Sequence, residues 1–235
     1  MPVKRDEIED VSECDLGIDN FIAVEDRRTS TEELERIKNY SDENLRIIFL
    51  QIETTNDEEK RNIIVNLVST VDYYIHEIVI WGLVQITMNN FPKGKCYSKV
   101  KIPINYLKEA IEQKDIFKNP VLKTEIIEDI RKNTYQNWVK IKEGLEIVLP
   151  KNTYEKIGML TSGKDKKAKF QTSDFDEIAV KRHRIVHHFD REYVNESQRN
   201  EIEINCIKSY ELINTIIESI HNVIKEYDEG QPEEN

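Results

Sequence analysis

The chain has 235 residues, 45 acidic and 34 basic side chains, a formal charge of −11, and only 7 glycines and 6 prolines. That length suits one domain with appendages, and so few turn formers argue against the many short strands of a sandwich or barrel. The charged start MPVKRDEIED has no apolar core of a secretory leader, and the most apolar run, Ile78–Met88, falls short of the about 20 residues that span a bilayer, so the expectation is a cytoplasmic protein without membrane contact.

Residues 1–28 lack sustained periodicity and read as an acidic arm. Thr29-Ser30-Thr31 followed by Glu32 and Glu33 is a helix-start signal that leads into Leu34, Ile37 and the 45–52 segment. Asn56-Asp57 opens a longer helix, in which Ile64, Leu67, Val68, Val71, Ile75, Ile78, Val79, Leu83 and Ile86 keep a 3–4 spacing up to Phe91-Pro92. Shorter helices are expected over 103–114, 120–134 and 137–148, the last stopped by Pro150. A lysine-rich polar stretch, 161–170, separates them from a helix over 173–187. The last helix is expected over Asn195–Glu226, on a seam of Ile202, Cys206, Ile213, Ile216, Ile217, Ile220, Val223, Ile224 and Tyr227. Residues 229–235 read as a disordered tail, which leaves 29–228 as one helical domain. The fold class is therefore all-α, a bundle with two long amphipathic helices bracketing shorter ones.

The acidity is uneven. Residues 1–60 hold 18 acids and 8 bases, leaving 27 and 26 for the remainder. Basic clusters stand out there: Lys93, Lys95, Lys99 and Lys101 in one loop, and Lys164, Lys166, Lys167 and Lys169 in another, followed by Lys181, Arg182 and Arg184. Such clusters meet phosphates locally, although lysine-rich loops are also commonly just solvated. Cys14, Cys96 and Cys206 share no metal-ligand spacing, and their odd number suits free thiols in a reducing compartment.

Five histidines occur in all, and His183, His187 and His188 fall within six residues of one another in Lys181–Asp190, where a helix gives way to a polar loop. Three readings compete. The first is a solvated basic helix end, favoured by the helix dipole. The second is a metal site using His187, His188 and Asp190, although neighbouring helical residues point about 100° apart. The third is acid–base chemistry on phosphodiesters, with Arg182 holding phosphate through its planar fork of donors and His187 moving the proton. RNA brings its own nucleophile, the 2′-hydroxyl, and imidazole titrates near neutral pH. Neither proton transfer nor charge stabilisation by Arg requires a metal or any other cofactor.

Arg182-His183-Arg184-Ile185-Val186-His187 resembles the Arg-polar-x-x-x-His signature of HEPN ribonucleases, and in particular the RiboL-PSP-HEPN subgroup, whose motif reads like R-[RN]-N-x-I-A-H. Leu67–Glu77, with Asp72 ahead of Ile75-His76, is similar to that subgroup's early core helix, and Thr134-Tyr135-Gln136 with Val139, Ile141 and Leu145 to its middle segment. The resemblance covers residues 60–227. It implies an HEPN-like bundle in which Arg182 contacts the phosphate and transition state, His187 is the catalytic acid or base, and His183 orients the site. Arg184 and His188 form an overlapping pair, which leaves open which histidine does the work.

Arg182 and His187 lie five residues apart, about 140° around a helix, so one copy does not place them on one face. The family's solution is a homodimer that brings two motifs into one cleft. Arg184, His188, Lys181, Lys166, Lys167 and Lys169 are candidate RNA contacts. Asp72 and His76, at i and i+4, either satisfy one another near the core or line the cleft as a second layer. Trp81 and Trp138 are expected in the core.

The expected function is a metal-independent endoribonuclease that leaves 2′,3′-cyclic phosphate and 5′-hydroxyl ends, a toxin or antiviral defence effector restrained by an antitoxin or sensor protein. Two alternatives are a catalytically silent HEPN module that binds RNA or a partner protein, and a structural interaction domain that docks through its acidic 1–60 region.

Overall fold

The computed structural model describes residues 30–53, 56–88, 90–100, 120–161, 169–188, 191–192, 195–199 and 205–230. Among these residues the chain runs through α1 (Ser30–Ile52), α2 (Asp57–Thr87), a 3₁₀ turn (Tyr97–Lys99), α3 (Pro120–Arg131), α4 (Trp138–Val148) and α5 (Lys151–Thr161). It continues through α6 (Thr172–His188), β1 (Arg191–Glu192), β2 (Asn195–Arg199) and α7 (Cys206–Glu229). The fold is helical, as its composition implies, apart from one small antiparallel ribbon that pairs Arg191 with Arg199 and Glu192 with Asn195. The acidic arm, the 103–114 helix and residues 231–235 of the tail fall outside the described residues, while Glu229, expected in the tail, closes α7.

α2 begins on a capping box: the Asn56 side chain accepts from Glu58 N and Glu59 N at 3.1 and 3.0 Å, and Asn56 N donates back to the Glu59 carboxylate at 3.0 Å. Its first half is amphipathic, but from Glu77 to Ile86 every residue is buried. The helix is therefore the hub of the bundle, packed by α1, α3, α4, α6 and α7. This corrects two expectations. α2 is amphipathic only in its N-terminal half, and its apolar stretch is longer than Ile78–Met88. By length and composition it could cross a membrane, yet 67 % of that stretch is buried inside the fold, as in a core helix.

α1 runs antiparallel to α2 and α7. At its start Trp81 Nε1 donates to Ser30 O at 3.2 Å, and the Ser30 and Thr31 hydroxyls donate to the two Asp228 oxygens at 2.7 and 2.8 Å. At its other end Phe49 meets Tyr210, with ring centroids 5.2 Å apart. The hydroxyls expected to cap α1 thus tie it to the last turn of α7. Trp81 is buried, edge-on to Phe91, whereas Trp138 is only half-buried, packed on Phe170.

Two further boundaries differ from expectation. Pro150 ends α4 but also opens α5, since Tyr154 N bonds back to Pro150 O at 3.0 Å and a first helical turn needs no N–H from proline. The last helix starts at Cys206, not Asn195. Asn195–Arg199 is wholly polar and pairs as β2, and Asn205 caps α7 by accepting from Lys208 N at 2.9 Å.

Gly82 lies where α2 crosses α4, and a Cβ there would overlap Val148; at Gly158 in α5 it would meet nothing. Gly82→Ala is expected to lower stability by about 1–3 kcal/mol through overpacking. Gly158→Ala should raise it by about 0.5–1 kcal/mol through helix propensity, both read by urea denaturation. A second expectation concerns pH. Burial pushes the His221 imidazole below its ordinary value; Glu35, 3.5 Å away, opposes this, while Lys38 and Lys225 add to it. The unfolded chain then binds a proton that the folded state resists, so this contribution is present above the ordinary histidine value of about 6.5 and is lost as pH falls below it. Thermal midpoints across pH 8 to 5 should fall more steeply for the parent than for His221→Leu.

Candidate active site

α6 carries Asp174 in its first turn, at the positive end of the helix dipole. Phe175, Ile178 and Ala179 form its buried stripe, and Ile185 extends it against the core. The same spacing places Arg182 on that stripe. Arg182 is accordingly half-buried, and its Nε is shut from solvent without an acceptor. No carboxylate pairs with its guanidinium among the described residues.

His183 and His187 occupy the next stripe round the helix. Both are exposed, one turn apart, with ring centroids 4.5 Å apart and planes tilted by 45°. Arg184, about 200° from Arg182, is exposed on the far side. The structure therefore brings His183 and His187 together and leaves Arg182 on a separate, inward face of the same turn. Two exposed valines, Val180 and Val186, flank the histidines.

The candidate RNA contacts are placed unevenly. Lys181, half-buried, pairs with the exposed Glu177 one turn back at 2.9 Å, a surface pair that contributes little to stability. Lys169 is exposed at the end of α5, its N–H bonded to Leu160 O at 2.8 Å. His188 ends α6, but its side chain, with Lys164, Lys166, Lys167 and Asp190, lies outside the described residues. Among the described residues no three His, Cys, Asp or Glu side chains gather as metal ligands.

Asp72 and His76 are built into the turn before α4. The Asp72 carboxylate accepts from Tyr135 N and, at 3.1 Å, from Gln136 Nε2. The His76 ring nitrogens lie 2.7 Å from Asp72 O and 2.9 Å from Asn133 O, and its ring meets Tyr135 edge-on at 4.6 Å. Neither side chain hydrogen-bonds to α6 among the described residues. Their geometry is that of a strap between α2 and the 133–136 turn, with the local pair also present, His76 Nδ1 lying 3.6 Å from the Asp72 carboxylate.

The sequence reading missed a positioning residue, Asp176. From α6 it accepts from Trp138 N at 2.9 Å, so α2 and α6 together hold the start of α4 with one carboxylate each. The only local signal is an acid beside the buried Phe175, one residue off the apolar stripe.

Compared with known proteins, the chain matches no family model, no curated protein and no solved structure.

Asp72→Ala removes two hydrogen bonds to a charged, half-buried carboxylate and should destabilise by about 2–4 kcal/mol. Arg184→Ala and His187→Ala change exposed side chains and should stay within about 0.5 kcal/mol of the parent. Urea denaturation separates the two groups; a large loss at His187 would make it a structural residue.

Proposed function

We propose that the protein is a metal-independent endoribonuclease. The observation that carries this is the last turn of α6, where two exposed imidazoles sit 4.5 Å apart beside an arginine with no carboxylate partner among the described residues. In this reading His187 takes the proton from the RNA 2′-hydroxyl, which attacks the adjacent phosphorus and expels the 5′-oxygen. That oxygen must gain a proton, and the product ends are a 2′,3′-cyclic phosphate and a 5′-hydroxyl. His183 orients its neighbour or holds the second proton. Arg182 stabilises charge on the phosphoryl oxygens.

One α6 holds Arg182 and His187 about 140° apart, so the active form is a homodimer that joins two such turns. The exposed Val180 and Val186 support docking through this face, because they place apolar surface directly beside the reactive side chains. The resemblance to HEPN ribonucleases supports reading the protein as a cytoplasmic toxin or antiviral effector, held in check by an antitoxin or sensor protein. The shielded Arg182 Nε favours one alternative, a silent module that binds RNA or a partner protein without cutting.

Labelled RNA incubated with the purified protein in EDTA should be cut to 5′-hydroxyl fragments, and single-stranded DNA, which lacks the 2′-hydroxyl, should survive. His187→Ala and Arg182→Ala should each lower the rate at least about 100-fold while leaving circular dichroism unchanged. Light scattering should report a dimer. A requirement for Mg²⁺ or Mn²⁺, or equal cleavage of DNA, would sink the mechanism. Binding without cleavage would favour the silent module.

A further inference from the structure

The segment Phe91–Val100 carries Lys93, Lys95 and Lys99 and no acid, and it is fastened to the end of α4. Cys96 N donates to Glu146 O at 2.9 Å, and Cys96 Sγ lies 3.5 Å from the Glu146 carboxylate. Gly94 rests on the carbonyls of Glu146 and Ile147 so closely that any Cβ would collide with them. Tyr97 N bonds to Gly94 O at 3.1 Å and Lys99 N to Cys96 O at 2.9 Å, winding the lysines into a tight turn. α4 and α5 continue the charge with Lys140, Lys142, Lys151 and Lys156.

Over residues 91–100 and 138–161 there are seven lysines and three acids, a balance of +4 in a chain of −11. Glu143 pairs with Lys140 at 2.8 Å, Glu155 pairs with Lys151 at 3.7 Å, and Glu146 anchors Cys96. Two tyrosines are interleaved: Lys93 Nζ stands 5.1 Å from the Tyr97 ring and Lys142 Nζ 5.7 Å from that of Tyr154. The second contact joins Lys142 of α4 to α5, and the charge of Lys99 reaches Glu143, so the turn and α5 both meet the exposed side of α4; Lys140, about 200° round the helix from Lys142, marks the other edge of that side. α4 alone is about 16 Å long at ~1.5 Å per residue, room for a run of backbone phosphates and not just one.

We propose that this turn–α4–α5 surface is a second RNA-binding site, holding the sugar–phosphate backbone of a single strand away from the α6 turn. The inference rests on the ribonuclease reading for its substrate, RNA. Lysines distributed over the turn, the edges of α4 and α5 neutralise phosphates at several points along a strand, and Tyr97 and Tyr154 suit unstacked bases, which favours a strand over an acidic peptide. Because α4 begins against α6 through Trp138 and Asp176, one long strand can engage both. The α6 site then performs the cut and the α4–α5 surface selects for length.

The test uses the full chain. Lys93, Lys95, Lys99 and Lys142 are changed together to Gln, and separately to Arg, in a His187→Ala background. Binding of a labelled 30-nucleotide oligouridine is followed by anisotropy from 50 to 200 mM salt. The Gln variant should bind at least tenfold more weakly at 50 mM salt, with a log–log salt slope smaller by up to about 3, at ~0.7 per lost contact. The Arg variant should bind like the parent. In a His187 background, the lower KM of a 30-mer over an 8-mer should disappear in the Gln variant. Parental affinity and slope in the Gln variant, or loss of binding only to a peptide of residues 1–29, would overturn the proposal. If the parent cuts no RNA, the ribonuclease reading fails on its own, while the anisotropy still decides this surface.

Discussion

Ten consecutive buried residues in α2, Glu77–Ile86, constrain everything else in the fold. A helix with no face left for water must be enclosed on all sides, and α1, α3, α4, α6 and α7 supply the enclosure. The polar members of the stretch then need partners inside the protein. Gln85 accepts from Asn90 Nδ2 at 2.7 Å, which turns the chain back at the end of the helix. Glu77 lies 3.7 Å from Arg131; burial pushes its carboxyl up, with Arg131 and Arg36 acting against that shift. The cost of leaving either group unpartnered makes these contacts as directive as the apolar packing.

The geometry of the candidate site follows from that enclosure. Once Phe175 and Ile178 are buried, the 3.6-residue repeat leaves Arg182 facing inward and His183 with His187 facing out. A slip of one residue would rotate each side chain by about 100° and exchange those roles. The register is held from outside the helix as well, because Asp176 receives Trp138 N while Asp72 receives the backbone of Tyr135. The last turn of α6 is thus oriented by carboxylates that lie outside it.

The excess of negative charge does not oppose an anionic partner at these surfaces. On α1 several charges are matched locally, with Arg36 on Glu33, Lys38 on Asp42 and Arg46 on Glu43. Fields of exposed charges fade over about 8 Å in physiological salt, so what a phosphate meets is the nearby composition and not the chain total. Around the 93–99 turn, α4 and α5 that composition is cationic, and at the end of α6 it is cationic again.

Short-range physics was legible in the sequence. The 3–4 spacing of apolar residues located α2 and the body of α7, Asn56-Asp57 marked the start of α2, and the clustered histidines marked the last turn of α6, because each depends on residues within one or two turns of one another. The sequence also contained the inward–outward split of Arg182 and His187, since helical angle depends on spacing alone. What needed the tertiary structure was every choice made by distant partners. Ser30 and Thr31 look like caps but bond to Asp228, 198 and 197 residues away. Asp72 and His76 look like a local i, i+4 pair, and lie 3.6 Å apart, but their hydrogen bonds also strap the 133–136 turn, 57 to 64 residues further on. The second half of α2 keeps an amphipathic spacing in sequence yet is buried on every side, because burial is decided by how many neighbours arrive and no local pattern counts them.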